Sequence, residues 1–397
     1  MPVLWIIQSV IALGAAGFWL GRGRALALSH GDARKLHSLP SYYGWSVVLF
    51  TLGPGLAVLS AGLLMAPGRG AAPAMTAAVI GLAVLGLVSA VRRIGPDYRA
   101  RNIVERGVLA LLILCASIAI LTTAGIILSM LFETQQFFAQ YDWTRFFFNT
   151  TWSPQFRGNS ELGILPLLWG TLYVSFIALL VAVPVGLFAA IYMSEYAGPK
   201  LRAVAKPAIE VLAGIPTIVY GLFALITVGP LLRDHFAQPL GLGSSSSSVM
   251  TAGVVMGIML IPFVSSLSDD IINAVPQAMR DGSLSLGATP SETIRQVVIP
   301  AALPGIVGAV LLAASRAIGE TMIVVLGAGA AAKLDLNPFE AMTTVTVKIV
   351  SQLTGDTDFN SPETLVAFAL GLTLFVLTLA LNVLALWIVR RYREQYE

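Results

Sequence analysis

The sequence predicts an all-α, polytopic membrane protein, and three observations carry that prediction. Of 397 residues, 56% are hydrophobic and 11% charged, with a mean hydropathy of +0.82, which lies outside the range of soluble globular domains. The apolar residues gather in nine runs long enough to cross a membrane, at about 3–20, 45–65, 71–91, 107–131, 165–193, 206–231, 249–267, 303–328 and 364–389. The basic residues alternate with those runs. Segments after the odd-numbered runs hold seventeen Lys and Arg, the opposite segments hold six, and Arg316 lies within a run. That asymmetry predicts an N-terminus outside and a cytoplasmic C-terminus.

The remaining composition excludes several classes of function. A net charge of +3 is too slight to indicate nucleic-acid binding. The single cysteine, Cys115, lies in an apolar run and rules out a disulfide framework. His30, His37 and His235 lack ligand spacing, so neither a metal nor a cofactor is expected. No Gly-x-x-x-x-Gly-Lys-Ser/Thr run occurs, and no nucleophile, base and acid are grouped. The chain is therefore not expected to be an enzyme, and any ATP hydrolysis belongs to another subunit.

In chain order, Val3 to Leu20 has no basic residues ahead of it, whereas Arg22 and Arg24 follow, so it reads as a retained helix and not a cleaved signal. The first three runs carry no charge within them, and their small residues suit close helix packing. The basic connector from Arg92 to Arg106 marks the best internal boundary, giving an N-terminal extension at 1–100 and a six-span core at 101–397. Outer segments from Phe132 to Gly163 and from Ala330 to Glu363 are long enough to receive an extracytoplasmic partner, or to serve as solvated connectors with interfacial aromatic anchors. Pro184, Pro216 and Pro262 predict bends in their spans. Ser244 to Ser248, beside Gly241 and Gly243, reads as a flexible linker.

Two stretches carry the chemistry. The cytosolic connection 269–300 has an amphipathic pattern that predicts short helices at Asp281 to Leu286 and Ser291 to Val298, broken at Gly287-Ala288-Thr289-Pro290, with Ser291 as the N-cap of the second. Such a knob suits insertion into a groove on another protein. Within the run 303–328, Arg316 and Glu320 stand at i and i+4, on one face of the expected helix. With Leu303 at the membrane edge, Arg316 lies roughly 20 Å into a core about 30 Å thick. Intramembrane charges mark solute pathways by default. A guanidinium offers a fixed fork of donors suited to tetrahedral oxyanions, and Glu320 is expected to neutralise it between visits. A static pair holding helices together is the alternative role. Ser315 and Thr321 are candidate neutral donors, and Glu210 and Pro216 candidate gating residues.

Asp281-Gly282-Ser283-Leu284-Ser285-Leu286-Gly287, followed nine residues later by Val297-Val298-Ile299-Pro300, resembles the EAA loop of ABC importer permeases in its spacing, with Asp281 and Gly282-Ser283 departing from the usual triplet. The run Arg316-Ala317-Ile318-Gly319-Glu320-Thr321-Met322 resembles a signature of the phosphate-specific (Pst) permeases, and its Thr-Met ending is closer to the PstC type than to PstA. Glu210 to Gly221 and Gly186 to Tyr196 are similar to further runs of that family. Together these cover the chain from about Arg101 onward.

The resemblance implies a six-helix type I ABC importer permease core preceded by about three additional helices. It implies a bacterial inner-membrane subunit that forms half of an ATP-driven phosphate path. The implied partners are a PstA-like second permease, two copies of a PstB-like cytoplasmic ATPase and a PstS-like extracytoplasmic phosphate-binding protein. Asp281, Gly282, Ser283, Gly287, Ala288, Val297 and Pro300 take the role of ATPase coupling by position. Alternatives from the residues themselves are a permease for sulfate or molybdate, and an ion-coupled secondary transporter in which Glu320 carries a proton.

Overall fold

A computed structural model describes residues 3–65, 73–95, 97–155, 160–355 and 361–393. Arg69, Arg157, the start of the expected third span at 71–72 and most of the hydrophilic run after Gly355 lie outside the described residues. The elements are α1 (Val3–Leu28), α2 (Pro40–Met65), α3 (Pro73–Arg93), α4 (Ala100–Gln140), α5 (Trp143–Phe148), strands β1 (Trp152–Ser153) and β2 (Glu161–Leu162), α6 (Leu165–Ile191), α7 (Pro199–Ala213), α8 (Thr217–Phe223), α9 (Gly229–Leu232), α10 (Val249–Asn273), α11 (Gln277–Ser285), α12 (Pro290–Thr293), α13 (Ile299–Ile318), α14 (Met322–Gly327), α15 (Val345–Gly355) and α16 (Pro362–Arg393). Among the described residues nine helical stretches are long and apolar enough to cross a membrane. The chain divides into two compact units, Met1–Ala124 and Gly125–Glu397, at a point within α4.

In the first unit, α1, α2 and α3 pack on one another through apolar clusters around Val10, Leu59, Val79 and Ala83, and around Ala25, Tyr43, Val47 and Ala90. In the second, α6 and α10 form the centre, burying Val174, Ala178, Val255, Met256 and Leu260 together. Pro184 and Pro262 lie inside those two helices, the first exposed and the second buried.

The described parts of the long segments at 132–163 and 330–363 are more ordered than the sequence suggests. α4 continues to Gln140, and its end joins α5 in a ring cluster in which Phe137 and Phe146 are fully buried. Trp152 and Leu162, on the paired strands, close that cluster. Trp143 and Phe148 stay exposed.

The serine run is no flexible linker. Ser248 accepts the Thr251 N–H as N-cap of α10, and Arg233 donates to Ser246 Oγ. The carbonyls of Pro338 and Glu340 take the Met250 and Val249 N–H groups. Hydroxyls and turned-back backbone satisfy donors that a helix start leaves orphaned, which fixes the segment.

Two of the expected spans are broken. The run 206–231 is an amphipathic helix, α7, and then a turn at Gly214-Ile215-Pro216 before α8, which continues through π-helical turns and α9 to Ala237. The run 303–328 begins earlier, at Pro290, and ends at Ile318; Gly319 to Thr321 separate α13 from α14. α8 and α14 pack against each other after their respective breaks. A Cβ on Gly221 would come within 2.8 Å of Leu326 Cδ1 and 2.9 Å of the Met322 carbonyl oxygen, so that contact requires glycine.

Candidate functional site

Arg316 occupies the last turn of α13, where the negative end of the helix dipole favours a cation. It lines a cavity of about 540 Å³ with Glu210, Ala213 to Thr217, Met259, Pro262, Phe263, Ser266 and Leu267. Its Cζ lies 5.5 Å from the centre of the Phe263 ring, a cation–π contact that takes one face of the guanidinium and leaves its edge donors to the cavity. Among the described residues no carboxylate forms an ion pair with it.

Glu320 departs from expectation. The helix stops at Gly319, so Arg316 and Glu320 do not share a helix face. The Glu320 carboxylate accepts the N–H groups of Thr321 and Met322, each at 3.1 Å, and so caps α14. Its carbonyl accepts from Thr346 Oγ1 at 2.9 Å. Each charge is met by a helix terminus of opposite polarity and not by the other charge. Glu320, Thr321 and Ser315 are absent from the cavity wall, whereas Thr217 and Ser266 supply hydroxyls there. Glu210 and Pro216 lie in that wall, on either side of the break after α7. The Tyr220 hydroxyl donates to the Leu212 carbonyl at 2.8 Å and closes the exposed end of α7.

The knob expected from the sequence is formed by α11 and the start of the α12–α13 helix. Its second arm is not a separate helix: α12 passes through a π-helical turn at Ile294–Val298 directly into α13. The N-cap is Thr289 and not Ser291, because the Glu292 carboxylate reaches back to the Thr289 N–H in a capping box. Gly287, at φ +85°, makes the reversal that L side chains resist. Ser283 and Thr293 hydroxyls, 2.9 Å apart, pin the two arms together. Asp281 accepts from Gln277 on its own helix. Leu286, at the tip, is an apolar side chain that is 91% exposed.

The connection also starts later than its sequence suggests, since α10 runs to Asn273. Asp269 therefore sits in a helix, fully buried, and receives Arg202 Nη2 at 3.0 Å and Lys206 Nζ at 2.9 Å from α7. Asp269 holds the Lys206 ammonium above its usual range. Arg280 of α11 pairs with Glu195 at the end of the α6 span and donates to the Ile272 carbonyl. None of these five residues stood out in the sequence; only the i, i+4 spacing of Arg202 and Lys206 hinted at a shared counter-ion.

The family described as binding-protein-dependent transport system inner membrane component matches residues 182–394. A second family, described as phosphate ATP-binding cassette transporter, matches residues 7–74. The chain is 32% identical over 306 residues to the phosphate transport system permease protein PstC of Xylella fastidiosa, covering 72% of this chain and 91% of that protein. It is 31% identical over 291 residues to the PstC of Mesorhizobium japonicum, covering 70% and 87%. It is 36% identical over 245 residues to PstC 1 of Mycobacterium bovis, covering 58% and 72%. Among solved structures, a bacterial alginate ABC transporter in complex with an alginate-bound periplasmic protein aligns with a TM-score of 0.51 at 16% identity, over 75% of this chain and 99% of that one. That likeness bears on the fold alone.

Proposed function

The chain belongs to the binding-protein-dependent transport permeases and to their PstC-type branch, and from that premise we propose that phosphate crosses the membrane along the cavity lined by Arg316. It is the inner-membrane permease subunit of an ATP-driven phosphate importer, forming half of the path and hydrolysing no ATP itself. The observation that carries the assignment of the path is a guanidinium without a carboxylate partner among the described residues, set in a cavity wall with the Thr217 and Ser266 hydroxyls. A fork of donors with neighbouring hydroxyls is the donor set a tetrahedral oxyanion takes. Glu210, at the end of α7, repels an anion from the same wall and acts as the gate.

The partners in this reading are a PstA-like permease supplying the other half, two PstB-like ATPases seated on the α11–α13 knob, and a PstS-like binding protein outside. Asp281, Gly282, Ser283, Gly287, Ala288, Val297 and Pro300 shape the knob, and Leu286 is its apolar plug. The N-terminus lies outside and the C-terminus in the cytoplasm, with residues 1–100 accessory to a transport core at 101–397.

Vesicles containing this chain and those partners test the reading. Uptake of labelled phosphate is expected to require ATP inside the cytosolic compartment, to persist after collapse of the proton gradient, and to resist competition by sulfate or molybdate. Uptake that follows the proton gradient, or that sulfate abolishes, contradicts it.

A further inference from the structure

The cavity is walled on one side by the end of α7, yet α7 is an amphipathic helix with no fully buried residue among those described. Its position depends on polar contacts. Arg202 and Lys206 lie one turn apart and converge on Asp269, whose side chain is fully buried while theirs are about one-third exposed. Arg202 Nη2 reaches both carboxylate oxygens, at 3.0 and 3.1 Å. Asn273 Nδ2 adds a donor at 2.9 Å and binds the Asp269 carbonyl at 2.7 Å. Asn273 Oδ1 in turn accepts from Ser194 at the end of the α6 span. Three side-chain donors thus meet one carboxylate, and its desolvation is offset only while α7 stays in place.

The same end of α10 is tied to the knob. Three residues after Asn273 the chain enters α11, and Arg280 of α11 donates back to the Ile272 carbonyl and pairs with Glu195. Displacement of α11 therefore acts on the last turn of α10, which holds Asp269. Asp269 holds α7, and α7 ends in the turn that lines the cavity of Arg316.

We propose that Asp269 is the positioning residue that transmits movement of the ATPase-seated knob to α7, the gate of the phosphate path. This rests on the importer reading above and assigns the linkage within it. A well-formed buried pair gives such a linkage two discrete states and not a graded deformation.

The test uses the reconstituted importer, with uptake of labelled inorganic phosphate and ATP hydrolysis measured on the same vesicles. Asp269→Asn removes the counter-ion of Arg202 and leaves Lys206 only Asp270, at 3.7 Å. It is expected to lower phosphate moved per ATP about tenfold while hydrolysis stays within about twofold. Exchanging the charges, Asp269→Lys with Lys206→Asp, is expected to restore at least about a third of that ratio. Should Asp269→Asn fail to accumulate in the membrane, Arg202→Gln with Lys206→Gln, at the partly exposed end of the contact, is expected to give the same loss of ratio. An unchanged ratio in either variant overturns the proposal and leaves the importer reading standing. A parallel fall in hydrolysis and uptake, unrelieved by the exchanged pair, also overturns it, because a purely structural role has that signature. Failure of the unsubstituted importer to take up phosphate would instead remove the reading on which the proposal rests.

Discussion

Arg316 and Glu320, four residues apart, belong to different helices: Arg316 closes α13, and Glu320 turns its carboxylate onto the first N–H groups of α14. The break between them frees the guanidinium for the cavity. It also gives the two residues separate tasks that substitution can distinguish. Glu320→Gln keeps an oxygen for the cap and is expected to retain most phosphate uptake. Glu320→Ala removes the cap and is expected to cost about 1 kcal/mol, read as a lower melting temperature of the detergent-purified chain. Equal loss of uptake in Glu320→Gln and Arg316→Gln would restore an ion pair as their working relationship.

Leu286 is exposed at the tip of the knob, beside the turn at Gly287. Burying a leucine side chain in a partner groove contributes about 1.5–3 kcal/mol. Leu286→Asp is therefore expected to weaken co-purification of the ATPase at least about tenfold while the chain itself melts unchanged. Undiminished association would place the docking surface elsewhere.

Gly221 lets α8 approach α14, and the atom it spares includes the backbone carbonyl of Met322, which a side-chain rotation cannot remove. Gly221→Ala is expected to destabilise the chain by about 1–3 kcal/mol, and Gly221→Val by more. Thermal unfolding in detergent measures both. Melting temperatures equal to that of the unsubstituted chain would contradict the close approach.

Lys348, in α15, is half-buried and donates to the Ala330 carbonyl at 3.3 Å. Desolvation lowers its pKa from the ordinary lysine value of 10.5. The sign follows: the folded state releases the proton first, so the destabilisation is complete below the lowered pKa and disappears as pH rises to the unfolded value. Lys348→Met is expected to melt higher than the unsubstituted chain at pH 7, with the difference shrinking toward pH about 10.5. A difference independent of pH would assign the effect to packing alone.

The spans and the knob were legible in the sequence because they rest on signals local to a window: apolar run length, basic flanks and the spacing from Asp281 to Pro300. The break after α13 was not, and the one after α7 was signalled only as a bend at Pro216. Gly214 and Gly319 lie inside or beside strongly apolar runs, where hydropathy continues across a turn that only tertiary packing stabilises. The hub at Asp269 was invisible for another reason, since Arg202 and Lys206 stand 67 and 63 positions away in sequence. The cap at Thr289 was misplaced by two residues because Ser291 offers the same hydroxyl; the reach of Glu292 to the Thr289 N–H decides between them. Arg316 was found from its charge in an apolar setting, whereas Thr217 and Ser266 share its cavity through folding alone.

Uptake of labelled phosphate by the importer carrying Arg316→Gln, set against Arg316→Lys, tests the assigned path most directly. Glutamine removes the charge and the fork, and uptake is expected to fall at least about a hundredfold; lysine keeps the charge alone and is expected to retain a partial rate. Uptake at the unsubstituted rate in Arg316→Gln, with normal amounts of the chain in the membrane, would contradict the account.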